Sequence, residues 1–360
     1  MTETLTSSQS ALRNTNVAGT GISLGITLYS LTSEWAAGQY TFESLLEEVS
    51  RQGMGPGVEF NAAQMLRSYP DVDEDFVTLW HSTLDRLQLE PSAMGTNLDM
   101  GRRADRDMTP DEEYDFLAVQ LRTAHRLGFN RVVIRNAGRE LLRRLLPLAE
   151  KYDQRLGYEL HAPAGPNDPK ILAIRETYEE LGSDRLGFTA DFSSTMHSLS
   201  PTLFRTLRTM GLKEQHLEAM QDFWRAPLPM HERNEAFEEY LRSEGVDPKS
   251  LGPFSRLAFN MHGLVPPEEW QDIMPITFHV HTKFFDIDEH GNEPAMDLPR
   301  IIKQFVDGGF KGYLSSEWEG HAFADLGESD PIALVKKQHD LIRRSIEQAV
   351  ADRSTNDTPR

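Results

Sequence analysis

The chain has no cysteine in 360 residues. Disulfides, iron–sulfur clusters, thiolate-bound metals and a cysteine nucleophile are therefore excluded. Long apolar runs are missing too, and none approaches the ~18–20 residues needed to cross a bilayer. The first ten residues, Met1–Ser10, lack the basic start and apolar core of a secretory signal. A cytoplasmic protein is the expectation. Positive charge is short: 37 Lys and Arg stand against 56 Asp and Glu, for a net charge of −19. That balance argues against nucleic acid or an anionic membrane as a partner. No dinucleotide fingerprint is present, and no Lys-Ser/Thr follows the glycines of Gly53-Met54-Gly55-Pro56-Gly57, so turn chemistry explains them.

What remains is an ordinary core-forming composition, 39% apolar and 26% charged. Residues 1–17 and 351–360 are polar and rich in Ser, Thr, Asn and Asp, and are expected to be disordered tails. Between them, over 18–350, strand and helix patterns alternate. Strands are expected at Ile22–Leu31, Gly57–Asn61, Ser92–Asp99, Arg131–Asn136, Leu156–His161, Leu186–Phe192, Ile276–Phe285 and Gly312–Trp318. The clearest helix opens at Thr109-Pro110-Asp111-Glu112, which combines an N-cap, Pro at the first helical position and a capping-box Glu. Gly128 stops it. Eight strands with crossovers predict a single (β/α)₈ TIM barrel, with a doubly wound open sheet as the alternative. Residues 199–272 are too long for one crossover and predict a helical insertion after strand six, at the catalytic face. It reads as a local cap with its own core, or as a lid or docking surface.

Four of these strands end in a metal-capable side chain: Glu159, Asp191, His281 and Glu317. A closed barrel would aim all four at one point on its carboxyl rim. Three carboxylates and an imidazole suit Mn²⁺, Mg²⁺ or Co²⁺ better than thiol-loving metals. His279 and Glu319 share the strand faces of His281 and Glu317 and compete with them as ligands, or contact substrate instead. His161 shares the face of Glu159 and is the first choice for proton transfer, with Glu159 and Glu317 as competing bases. Lys283 points the same way as His281, to stabilise an anionic intermediate or to neutralise the carboxylate cluster. From earlier strands Tyr29, Glu59, Asn61, Asn97, Asp99 and Arg135 are candidate pocket liners, Arg135 and Asn97 being favoured for substrate contact.

These motifs, in this order across residues 20–350, resemble the xylose-isomerase-like sugar isomerase/epimerase superfamily. Within it, Tyr158-Glu159-Leu160-His161-Ala162-Pro163, the His279–Phe284 segment, Ser315-Ser316-Glu317-Trp318-Glu319-Gly320 and the Tyr69-Pro70…Trp80-His81 stretch look most like the large (alpha) subunit of bacterial C-glycoside deglycosidases. The resemblance implies a divalent ion, Mn²⁺ first, on Glu159, Asp191, His281 and Glu317. It also implies a glycoside already oxidised to a ketone at sugar C3, a carbon–carbon lyase reaction that releases the aglycone, and a small beta subunit in a hetero-oligomer. Ketose 3-epimerases usually carry a His three positions after the Asp, where this chain has Ser194. Sugar or keto-sugar isomerisation and epimerisation stay open as the alternative. A non-catalytic scaffold barrel and an endonuclease barrel fit the ligand set and the acidic balance less well. The glycoside, the aglycone, the metal and the stoichiometry are not readable from the residues.

Overall fold

In a computed structural model, residues 13–98 and 103–356 are described. Eight parallel strands pair in sequence order, and β8 closes back on β1. They are β1 (Ile22–Thr27), β2 (Gly57–Asn61), β3 (Glu90–Gly95), β4 (Arg131–Ile134), β5 (Arg155–Leu160), β6 (Leu186–Asp191), β7 (Thr277–Phe284) and β8 (Gly312–Trp318). The sheet is therefore the closed barrel, and the open doubly wound alternative is excluded.

The helices cover the outside. Besides short helical turns at Thr32–Ala36 and Ala62–Met65, they are α1 (Phe42–Gln52), α2 (Glu74–Leu87), α3 (Pro110–Arg126), α4 (Arg139–Lys151), α5 (Pro169–Leu181), four helices after β6 named below, α10 (Leu298–Asp307) and α11 (Pro331–Asn356). Strand residues alternate, so one set meets the helices and the other fills the barrel. On α10, Leu298, Ile301, Ile302, Phe305 and Val306 keep the helical spacing and are buried. Each such side chain contributes roughly 1.5–3 kcal/mol by leaving water. The capping box at Thr109 forms as expected: Thr109 Oγ1 accepts from Glu112 N, and Glu112 Oε2 accepts from Thr109 N. Inside the barrel space is tight. A side chain at Gly57 would run into the Tyr313 ring, and one at Gly187 into the Ile276 carbonyl.

The structure corrects several boundaries. The first strand ends at Thr27 rather than Leu31, because Leu28–Leu31 turns into a 3₁₀ helix whose start is capped by Thr27 Oγ1. Ser30 locks that turn to β8, donating to Ser316 O and accepting from Trp318 N. The turn delivers Tyr29 to the carboxyl end of the barrel. The third strand runs Glu90–Gly95, shifted from the expected 92–99, and Asp99 lies outside the described residues. Parts of both expected tails are built into the fold. Asn14 is buried, donates to Gly53 O and accepts from Arg343, and α11 continues to Asn356.

The segment between β6 and β7 folds as α6 (Pro201–Thr209), α7 (Glu214–Arg225), α8 (Met230–Ser243) and α9 (Phe254–Asn260), followed by a 3₁₀ stretch over Pro267–Ile276. Leu217, Met220, Trp224, Phe237, Leu241 and Phe259 are buried within it. Thr202 donates to Phe285 O just past β7, and Trp270 Nε1 donates to Thr195 just past β6. These bonds fix the segment beside the carboxyl ends of those two strands.

Candidate active site

Parity and register bring the four strand ends together. Glu159 on β5 and His161 just past its end share the inward face, and on β6 it is Asp191. The β6–β7 pairing sets Asp191 level with His281, and the β7–β8 pairing sets Lys283 level with Glu317. His281 Nδ1 then lies 2.8 Å from Glu159 Oε1, 3.4 Å from Glu317 Oε2 and 3.9 Å from Asp191 Oδ2. The His281 side chain is fully buried and the three carboxylates nearly so.

Lys283 Nζ sits one step nearer the mouth, 2.6 Å from Glu319 Oε2, 3.1 Å from Asp191 Oδ2 and 3.6 Å from Glu317 Oε2. Arg135 grips Glu159 with two bonds, Nε to Oε2 at 2.5 Å and Nη2 to Oε1 at 3.0 Å. Tyr29 donates its hydroxyl to Glu319 at 3.1 Å. Above this floor opens a cavity of about 520 Å³ whose other walls include His161, Tyr158, Pro163, Lys170 and Ile171.

The electrostatics follow from burying many acids together. Burial alone would raise Glu159, but Arg135 and His281 outweigh it and hold its carboxyl well below the usual range. Asp191 is likewise held low, chiefly by Lys283 against its own burial. Glu317 goes the other way: burial dominates and pushes it up to about 7. Burial opposes the charge on His281 and Lys283, yet the surrounding carboxylates raise both well above their ordinary values. Burial and the Glu319 charge keep Tyr29 a neutral hydroxyl.

This donor set fits a divalent cation. His281 Nδ1, Asp191 Oδ2 and Glu317 Oε2 are buried without a hydrogen-bond partner of good geometry. Hard cations hold oxygen ligands at about 2.0–2.6 Å, so donor atoms about 3–4 Å apart can share one. Single donor atoms of Glu159, Asp191 and His281 lie within 4.8 Å of one another. Among the described residues, five buried carboxylates (Glu59, Glu159, Asp191, Glu317 and Glu319) surround Lys283 and Arg135 as their fixed cations, leaving an excess of negative charge. A cation binding there would displace a proton from His281.

His161 lines the cavity, and its Nδ1 lies 2.8 Å from Ala162 O. A carbonyl only accepts, so Nδ1 carries the proton and Nε2 is the basic nitrogen. Two other expectations come apart. His279 sits a layer below the cavity, buried, with Nε2 2.7 Å from Glu59 Oε2; it is not among the lining residues. Asn97 lies past the end of β3, its backbone clamped by Gln120, and does not line the cavity either. Ser194 donates to Leu160 O and is buried, and His197 lies outside the cavity lining. No histidine takes the place that epimerases fill after the Asp, among the described residues of this wall. Glu59, expected to line the pocket, does so and also bonds both strand-seven histidines, and the structure adds the outer wall of Lys170 and Ile171. An acid between Val58 and Phe60 on an inward position was a signal that it needed a buried partner. Nothing in the helical pattern of α5 marked Lys170 and Ile171.

The fold is a closed eight-stranded (β/α)₈ barrel with this carboxylate–imidazole cluster at its carboxyl rim. A solved L-ribulose 3-epimerase superposes with a TM-score of 0.56 at 14% identity, covering 93% of this chain and 98% of the other. D-allulose 3-epimerase from Methylomonas sp. gives 0.51 at 11% identity, covering 89% and 97%. No protein-family model matches. The chain belongs to the C-glycoside deglycosidase alpha subunits: it is 77% identical to one from Arthrobacter globiformis over 334 residues, 93% of this chain and 95% of that protein. It is also 37% identical over 330 residues to a 3'-dehydrocarminate deglycosidase alpha subunit from Microbacterium sp., covering 89% and 94%.

Proposed function

We propose that the protein is the alpha subunit of a divalent-metal-dependent carbon–carbon lyase that cleaves 3-keto-C-glycosides. The observation that carries this reading is His161, with its basic Nε2, in one cavity with Glu159 and beside the unpaired donors of Asp191, His281 and Glu317. The 77% relative supplies the glycoside class.

Those four residues would hold the ion, Mn²⁺ by donor type, with Mg²⁺ or Co²⁺ as alternatives. When bound, such an ion polarises a ketone oxygen and makes the neighbouring C–H more acidic. His161 Nε2 removes the proton from C2, and the electron pair moves to the C3 carbonyl as an enolate. The enolate collapses to re-form the ketone, a C1–C2 double bond appears, and the C1–aryl bond breaks. Protonated His161 returns its proton to the departing aryl carbon, so the aglycone leaves as the free arene. No outside oxidant or reductant enters. Arg135 holds Glu159 ionised and makes it a poor base, which favours His161 for that role. Lys283, pinned by Asp191 and Glu319, supplies positive charge toward the enolate oxygen. The cavity volume of about 520 Å³ leaves room for an aromatic group beyond the sugar, along Tyr158, Pro163 and Ile171.

Sugar or keto-sugar epimerisation is the second reading, because it starts with the same deprotonation. Ser194, with its hydroxyl committed to Leu160, weighs against it. The relatives' alpha-subunit names support a small beta partner in a hetero-oligomer. None of the described helices is long and apolar enough to cross a membrane, and a cytoplasmic location is part of the proposal. The test is aglycone release from a 3-keto-C-glycoside by the chain with its partner and Mn²⁺, compared with ketohexose epimerisation.

A further inference from the structure

Glu59 lies on β2, across the barrel from β7, between the fully buried Val58 and Phe60. Its two oxygens go to two different histidines: Oε1 is 2.8 Å from His281 Nε2 and Oε2 is 2.7 Å from His279 Nε2. All three side chains are nearly or fully buried. An ionised carboxylate only accepts hydrogen bonds, so each Nε2 must carry a proton. That fixes the lone pair of neutral His281 on Nδ1, the nitrogen facing Glu159, Asp191 and Glu317. On β7, the His279 and His281 rings meet edge-on at 5.5 Å, so Glu59 braces them as one unit.

We infer that Glu59 is a positioning residue: it sets the tautomer and tilt of His281 so that Nδ1 meets a divalent cation, with His279 bracing the carboxylate. The inference rests on the proposed metal site. Carboxylates that orient a metal-bound imidazole commonly change metal affinity by 10–100-fold when removed. Glu59, His279 and His281 also bring three donor atoms close together. They do not form a second cation site, because both Glu59 N···O pairs have hydrogen-bond geometry with the proton between, whereas His281 Nδ1, although 2.8 Å from Glu159 Oε1, has no such partner.

Glu59→Gln makes the argument sharp. A Gln oxygen can accept from only one imidazole, and its NH₂ needs an acceptor from the other. If that other ring is His281, it must present an Nε2 lone pair and move its proton to Nδ1, where it cannot bind metal.

The experiment titrates Co²⁺ into the metal-stripped full chain, by calorimetry and by visible spectrum, for wild type, Glu59→Gln and His279→Gln. Wild type should bind one Co²⁺ per chain. Glu59→Gln should weaken binding roughly 10–100-fold and shift the Co²⁺ bands, with unchanged circular dichroism. His279→Gln, which leaves one hydrogen bond to Glu59 intact, should weaken it less. Equal affinity and spectra in wild type and Glu59→Gln would overturn the inference, as would two Co²⁺ per chain with one lost in His279→Gln. No Co²⁺ binding by wild type would instead overturn the metal site itself. A second measurement does not depend on any variant folding. In wild type labelled with ¹⁵N-histidine and loaded with Zn²⁺, His281 should show a protonated Nε2 and a metal-bound Nδ1. Metal on Nε2 would contradict the inference.

Discussion

Arg135, just past the end of β4, and Glu159 on the neighbouring β5 form a two-bond guanidinium–carboxylate pair at the cavity floor. Arg135 keeps part of its side chain exposed, whereas Glu159 is nearly buried. Removing the cation therefore strands a buried carboxylate. Arg135→Met is expected to cost roughly 1–3 kcal/mol, below the ~3–5 of a fully buried pair because water reaches the guanidinium. Arg135→Lys should fall between, since an ammonium cannot reproduce the paired bonds. Denaturant midpoints check this, and an Arg135→Met protein as stable as wild type would refute the role given to the pair.

The metal ligands make a second prediction. Purified protein should carry close to one Mn²⁺-like ion per chain, and Ala at Glu159, Asp191, His281 or Glu317 should lower that occupancy. Elemental analysis of the four variants reads it directly. Full occupancy in all four would dismiss the site. Loss confined to Glu319→Ala and His279→Ala would move it by one inward position.

His161→Gln should leave the barrel and the metal content intact while turnover drops by about 10²–10⁴, the usual scale for a positioned acid or base. Near-normal turnover would leave His161 as a neighbour and turn attention to Glu317, which burial raises to about 7.

A fourth prediction concerns pH and stability, away from the site. His339 on α11 is buried with Nε2 3.0 Å from the Gly25 carbonyl, and burial lowers it from 6.5 to about 4. The unfolded chain takes up this proton near 6.5 and the folded chain only near 4. Stability from this group is therefore complete above about pH 6.5 and is lost as pH falls toward 4. His339→Gln, able to donate to the same carbonyl, should show a shallower fall in melting temperature between pH 7 and 5. An identical slope in wild type and variant would show that His339 does not couple to folding.

Much of this was legible because strand ends in parallel barrels carry their polar residues at predictable inward positions. Glu159, Asp191, His281 and Glu317 each follow a short apolar run, and the register brings them together. Thr27 and Ser30 were not legible as strand enders, since their hydrogen bonds go to a turn and to β8, 286 residues away in the case of Ser30. His279 and His281 look alike in sequence and both bond Glu59, and only the Glu159, Asp191 and Glu317 oxygens around His281 Nδ1 separate them. Asn14 reads as tail, yet its amide joins residues 13–17 to the α1–β2 turn and to α11. Pairings across hundreds of residues leave no local pattern to read.

The most direct test of the account follows the C2 proton and the aryl group together. The chain, with a small beta partner and Mn²⁺, is incubated in deuterated water with a 3-keto-C-glycoside, the parent C-glycoside, and a ketohexose. The account predicts free aglycone from the ketone alone, without added nicotinamide. The parent glycoside should stay intact, because its C2–H lacks the neighbouring carbonyl, and the ketohexose should give little epimer, given Ser194. Rapid ketohexose epimerisation with no aglycone release would contradict the lyase reading and establish the epimerase in its place.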